Sequence, residues 1–220
     1  MSESALIIGE SGTGKSTAIR TLPHESTFII NVLDKSLPFK GHKKKYVRVS
    51  QDGKTGNHCA SDDPVQIIKI LSFINNHRPD INTIVLDDFG YVISNSFMRK
   101  ASLKGYEKYT DIGKEAFDIL NVVSNLRDDL FCFVTMHTDI DKQGRHKPKT
   151  VGNMIDQYIC IEGKFTYVFH ALTSEGKYKF LTNNDGQHMA KSPMGVFDDA
   201  FIDNDLKYVV DKIDEFNNGE

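Results

Sequence analysis

Runs of four to six apolar residues recur along the chain, each bounded by charged or turn-forming residues. Ala5-Leu6-Ile7-Ile8, Thr27-Phe28-Ile29-Ile30-Asn31, Thr83-Ile84-Val85-Leu86 and Leu130-Phe131-Cys132-Phe133-Val134-Thr135 lack polar alternation. That pattern predicts strands buried on both faces, as in a parallel sheet. Tyr46-Val47-Arg48-Val49 predicts a further short strand. Between these runs the spacing becomes helical. Residues 64–76 carry Val65, Ile68, Leu71 and Phe73-Ile74, with Pro64 suited to a first helical turn. Residues 112–126 place Ile112, Phe117, Leu120, Val123 and Leu126 roughly on one side. A helix over 15–21 is closed by Pro23. From residue 158 the pattern turns to β over 158–162, 165–172 and 177–182, the last two forming a hairpin about Ser174-Glu175-Gly176. Residues 206–216 predict a closing amphipathic helix. The order predicts an α/β fold with a doubly wound, mostly parallel central sheet flanked by helices, and an antiparallel β extension at one side.

Composition narrows this picture. A chain of 220 residues suits one domain over 1–220 with a proper core. A net charge of −3 carries no global signature of polyanion binding, so any nucleic-acid contact must be local. The three cysteines include no Cys-x-x-Cys pair. Cys132 and Cys160 lie in apolar runs and read as small core residues, and His58-Cys59 lacks zinc spacing. With no long apolar stretch and no leader-like segment, the expectation is a cytoplasmic protein that does not engage a membrane.

The chemistry begins where the first strand ends. Gly9, Glu10, Ser11, Gly12, Thr13, Gly14, Lys15 and Ser16 form a complete phosphate-binding loop, and Thr17 follows on the nascent helix. The glycines let successive amides turn toward a phosphate. Lys15 reaches β and γ phosphates, and the Ser16 hydroxyl ligates Mg²⁺. Strand, loop and helix stand in the order this motif requires. A second signature is Ile84-Val85-Leu86-Asp87-Asp88, a buried strand that delivers carboxylates to the same sheet edge. Asp87 is the expected Mg²⁺-side acid beside Ser16, and Asp88 the candidate for orienting the attacking water. After the next strand, His137 or Thr135 is placed to touch a γ-phosphate.

Two basic segments are candidates for DNA. Residues 99–114 interleave cations with rings, and Lys104, Tyr106 and Lys108 suit backbone charge plus base stacking. The loop 139–154 offers Lys142, Arg145, Lys147 and Lys149 around Gly144 and Pro148. Each alone reads equally well as a solvated basic loop.

The phosphate loop, Ile84 to Asp88, Gly105-Tyr106-Glu107-Lys108-Tyr109, Thr135-Met136-His137 and Ala190-Lys191-Ser192-Pro193 occur in one order. Together they resemble the small phage-encoded nucleotide-binding proteins with a minimal RecA-like core, some of which are single-strand annealing ATPases. The resemblance implies a RecA-like ATPase fold using ATP and Mg²⁺. It also implies single-stranded DNA as partner, self-association into a ring or filament, a phage single-strand binding protein as a further partner, and the host cytoplasm as location. In RecA-type ATPases the water-activating acid follows the strand after the phosphate-loop helix. Asp34 stands there, and no glutamate does. RecA-superfamily proteins also send a late basic residue into a neighbour's nucleotide, a placement that Lys191 matches.

The resulting expectation is an ATP- and Mg²⁺-dependent ATPase that binds single-stranded DNA and promotes annealing or exchange in phage recombination. Two other classes share the loop. One is a small-molecule phosphotransferase, although its usual arginine-rich lid is replaced here by a lysine-rich loop with one arginine. The other is a non-catalytic ATP-switch accessory protein, which the missing glutamate keeps open. The absence of Asn-Lys-x-Asp tilts the base toward adenine over guanine.

Overall fold

The computed structural model describes residues 2–219, apart from the side chains of residues 153 and 154. The first half places β1 (Ser4–Gly9), a 3-10 helix (Ser16–Thr21), β2 (Thr27–Asn31), α1 (His42–Lys45), β3 (His58–Ala60), α2 (Pro64–His77), β4 (Thr83–Asp87) and α3 (Gly90–Arg99). Then follow α4 (Glu107–Ser124), β5 (Phe131–Ile140), β6 (His146–Pro148), α5 (Asn153–Asp156), a second 3-10 helix (Glu162–Lys164), β7 (Tyr167–Ser174), β8 (Lys177–Leu181), β9 (Phe201–Asp203) and α6 (Leu206–Asn218).

The strand order is β3-β2-β4-β5-β1-β7-β8-β9, with β6 paired to the far end of β5. From β3 to β7 every pairing is parallel. β8 and β9 add antiparallel strands at one side. The α/β class and the antiparallel extension are therefore as the apolar pattern predicts. Alternate residues of each strand serve two cores. Leu6, Ile8, Ile84 and Leu86 meet Ile67 and Leu71 of α2 and Ile119 and Leu120 of α4. Ala5, Ile7, Val85 and Phe133 meet Ile19 of the first 3-10 helix and Leu206, Val209 and Ile213 of α6. Burial on both faces is why these strands read as continuous apolar runs.

Local signals explain the helix ends. The Asp63 side chain accepts the Gln66 amide at 2.9 Å, and Pro64 opens α2. The Asp205 side chain caps α6 by accepting the Tyr208 amide at 3.0 Å. The β7–β8 turn at Glu175-Gly176 takes φ of 50° and 73°, the left-handed pair a two-residue hairpin turn requires.

Some expectations fail. Residues 46–49 form no strand; Arg48 makes one bridge to His58, and the edge strand is β3 instead. The Asn57 side chain accepts the Val47 amide at 2.8 Å, which takes that amide out of a ladder. Residues 158–162 alternate in burial but form no strand. The amides of Tyr158 and Ile159 both return to the Ile155 carbonyl, at 2.9 and 3.2 Å, so the chain turns instead. Cys160 is exposed there, not a core residue. Phe117 is 40% exposed, with the Lys164 ammonium 3.8 Å over its ring, so it leaves the apolar stripe of α4. α3, β6 and β9 are additional elements. Among the described residues, no helix is long and apolar enough to cross a membrane.

Candidate functional site

β1 ends beside β5 with Gly9 opposite His137. The chain then curls through Gly12 and Gly14 at φ of 83° and 93°, conformations that disfavour a Cβ. Gly9 is required for a different reason. A Cβ there would come within 2.5 Å of the Ala171 carbonyl oxygen on β7 and 2.7 Å of Thr13 Oγ1. The Thr13 hydroxyl donates to Glu10 O at 2.8 Å, and the Lys15 ammonium donates to Gly9 O and Glu10 O at 2.8 and 2.7 Å. Lys15 is buried, and burial pulls its ammonium down to about 8 against the opposing fields of Asp88 and Asp87. Asn204, just past β9, is also buried and donates to Gly14 O at 3.2 Å, so the C-terminal segment braces the loop.

β4 lies one strand away from β1, with β5 between them. Asp87 joins the two motifs, and one residue on that intervening strand holds the carboxylate end of β4 in place. Thr135 Oγ1 donates to Asp87 Oδ1 at 2.7 Å and accepts the Asp88 amide at 2.8 Å. Ser16 Oγ donates to the same Asp87 oxygen at 3.0 Å. Burial, reinforced by Asp88, pushes the Asp87 carboxyl up to about 6 despite these two donors. Asp88 turns at φ 66° and faces the cleft, its carboxylate 3.6 Å from both Lys35 Nζ and His137 Nε2. Burial, and next the Lys15 charge, lowers the His137 pKa, favouring neutral imidazole.

Lys15, Ser16, Lys35, Asp87, Asp88 and His137 line one cleft of about 270 Å³ together with Ser11, Thr17 and Tyr178. One hydroxyl and two carboxylates are hard oxygen donors suited to Mg²⁺. Among the described residues no cluster of three or more His, Cys, Asp or Glu is arranged to hold a metal. The donor set therefore fits an ion completed by water and phosphate oxygens better than a caged one.

The expected residues divide sharply. Gly9 through Thr17, Asp87, Asp88 and His137 converge, whereas Thr135 is fully buried on β5 and its hydroxyl is engaged by Asp87 and Asp88, so it supports those acids and does not reach a phosphate. Asp34 does not line the cleft. It forms an ion pair with Arg48 in a neighbouring depression that also includes His42 and His58. Lys191 bridges Val168 through two backbone hydrogen bonds of 2.8 Å, and Val168 lies beside Leu6. That is three residues, or about 10 Å of strand, before Gly9. Its side chain is exposed.

The basic segments also separate. Lys104, Tyr106 and Lys108 follow α3, with Tyr106 73% exposed and the Lys108 ammonium donating to Leu103 O at 3.0 Å. Lys149 lines a second cleft with Tyr91 and Ser94 near the other end of α3. On the β5–β6 hairpin, Arg145 pairs with Asp141 at 2.9 Å and Lys147 pairs with Asp156. Lys142 and Lys149 have no carboxylate within pairing distance among the described residues.

Three site residues escape the sequence reading. Lys35 follows Asp34 in a turn that carries no phosphate-binding pattern. Tyr178 packs on the loop so closely that a Cβ on Gly14 would lie 2.7 Å from its Cγ. Asn204 is distant in sequence and carries no local signal. Compared with known proteins, the chain matches no family model and no curated sequence.

Proposed function

We propose that this chain is a RecA-like P-loop ATPase that binds Mg²⁺-ATP and acts on single-stranded DNA, promoting annealing or strand exchange in phage recombination. The observation that carries the nucleotide reading is the meeting of Ser16 and Asp87 at 3.0 Å, from motifs 71 residues apart in sequence. A loop alone binds anions. A loop hydroxyl beside a buried carboxylate at the same sheet edge suits a metal-bound triphosphate. The strand inserted between these motifs supports the RecA-like reading.

Lys15 and the loop amides would hold the phosphates, while Ser16 and Asp87 would hold Mg²⁺. Bound there, Mg²⁺ would supply charge neutralisation to the phosphates. Asp88 is the cleft-facing carboxylate left to orient water, since Asp34 is engaged with Arg48. His137 lies beside it and would contact the terminal phosphate. Lys191 is too far along β1 to serve its own loop and would act only on a neighbouring subunit in a ring or filament. A phage single-strand binding protein is a natural further partner.

The test is ATP turnover with and without single-stranded DNA, across protein concentration. The reading expects stimulation by DNA and turnover per chain that rises with concentration. Phosphate transfer to a small acceptor without DNA dependence would make the protein a phosphotransferase. ATP binding without turnover would make it a switch protein.

A further inference from the structure

We propose that Lys35 reads the terminal phosphate of the bound nucleotide and sets the preference for ATP over ADP. The inference rests on the nucleotide-site reading above and adds a residue that neither motif contains.

The placement is built by the turn after β2. The buried Asn31 side chain donates to the Lys35 carbonyl at 2.7 Å, and Asp34 turns through φ 54° between them. This tight turn aims the Lys35 side chain back over the carboxyl edge of the sheet. Its ammonium stands 3.6 Å from Asp88 Oδ2 and 5.3 Å over the ring of Tyr91. It lines the cleft shared by Lys15, Ser16 and Asp87, and also the adjoining cleft with Lys149. Its positive field reaches both Lys15 and His137.

Lys15 and Lys35 are held differently. Lys15 is buried and hydrogen-bonded to carbonyls of its own loop. Lys35 is 61% exposed on a flexible stem, and its contact with Asp88 is a long ion pair. Asp88 is only 11% exposed, so the pair is loose at its lysine end alone, where the long contact leaves a solvated ammonium able to change partners. A terminal phosphate oxygen offers a stronger, charge-assisted partner. Asp88 then loses its neighbouring ammonium to the phosphate and is freed to accept from water. Removing the terminal phosphate returns Lys35 to Asp88. Lys35 thus couples the state of the nucleotide to the carboxylate beside it.

The experiment measures Mg²⁺-ADP and Mg²⁺-bound non-hydrolysable ATP analogue affinities by calorimetry, for wild type, Lys35→Ala and Lys35→Arg. Lys35→Ala is expected to lower the affinity ratio of ATP analogue to ADP by about tenfold to a hundredfold, with ADP affinity nearly unchanged. Lys35→Arg keeps the charge and should restore most of the ratio. Equal losses for both nucleotides in Lys35→Ala would make the residue a structural support and overturn the proposal. So would an unchanged ratio. In either case binding by wild type would leave the nucleotide-site reading standing. Failure of wild type to bind either nucleotide would overturn both.

Discussion

Thr135 holds the two acidic residues at the end of β4, one of which meets Ser16 of the glycine loop, and replacing it with valine isolates that role. The substitution preserves shape in a fully buried position and deletes one hydroxyl. Two hydrogen bonds disappear with it: the donation to Asp87 at 2.7 Å and the acceptance of the Asp88 amide at 2.8 Å. An amide left unpaired in a buried site costs roughly 1–3 kcal/mol, and losing a hydrogen bond to a carboxylate costs about 1.5–3 kcal/mol. Ser16 still donates to Asp87, so the two losses do not add fully. The expected net destabilisation is about 3 kcal/mol, read from urea unfolding at neutral pH as a lower midpoint with an unchanged slope. Thr135→Ser retains the hydroxyl and loses one methyl, so it should cost only about 1 kcal/mol. A valine variant within 1 kcal/mol of wild type would refute the claim that this hydroxyl holds Asp87 and the Asp88 amide in place. A serine variant as unstable as the valine one would move the cause from hydrogen bonding to packing.

Three other outcomes follow from the geometry. Asp87→Asn removes the metal-side charge and should reduce Mg²⁺-dependent turnover at least about a hundredfold while the fold survives; circular dichroism and steady-state assays check this, and a more damaging Asp88→Asn would reverse the two roles. Lys142→Ala with Lys149→Ala should weaken single-strand binding and flatten its salt dependence in fluorescence anisotropy, whereas Arg145→Ala with Lys147→Ala should do less because Asp141 and Asp156 already offset those charges. An unchanged salt slope in the first pair would move the DNA site to Lys104, Tyr106 and Lys108. His170 on β7 is packed among His146, His188 and Asp185, and burial, with the neighbouring His188 and His146 next, pulls it down to about 4. The unfolded chain therefore takes up a proton near pH 6.5 that the folded imidazole refuses until about 4, so the contribution of His170 to stability falls as pH drops through that window, by up to roughly 3 kcal/mol, while the raised Asp87 carboxyl contributes in the opposite sense. His170→Gln should flatten the urea-midpoint profile there, and a profile unchanged from wild type would contradict the assignment.

What the chain discloses and what it hides have physical causes. Strands buried on both faces and a loop whose glycines have stereochemical duties are short-range features, so β1, β2, β4, β5 and the loop itself are legible. Asp87 is legible because a buried strand ending in an acid is a local pattern. The segment 158–162 misleads because alternation of exposed Tyr158 and Cys160 with buried Ile159 and Ile161 imitates a strand while its amides bond within turns. α3 is missed because its buried stripe is only Val92, Ile93 and Ser96, with a serine where an apolar residue would announce it. Lys35 and Tyr178 reach the site through the β2 turn and the β7–β8 hairpin, and nothing in their immediate neighbours records that convergence. Asn204 braces Gly14 across 190 positions, a contact that only the folded chain reveals.

The central claim is that Gly9 to Ser16 binds the phosphates of a nucleotide with Lys15 as the loop cation. The direct test is calorimetric titration of Mg²⁺-ATP into wild type and Lys15→Ala, with unfolding midpoints measured in parallel. Wild type should bind at a single site, and Lys15→Ala should remain folded and lose affinity about a hundredfold or more, the scale of a lost charge-assisted contact to phosphate. Equal affinity of a folded Lys15→Ala variant, or no binding by wild type, would contradict the account.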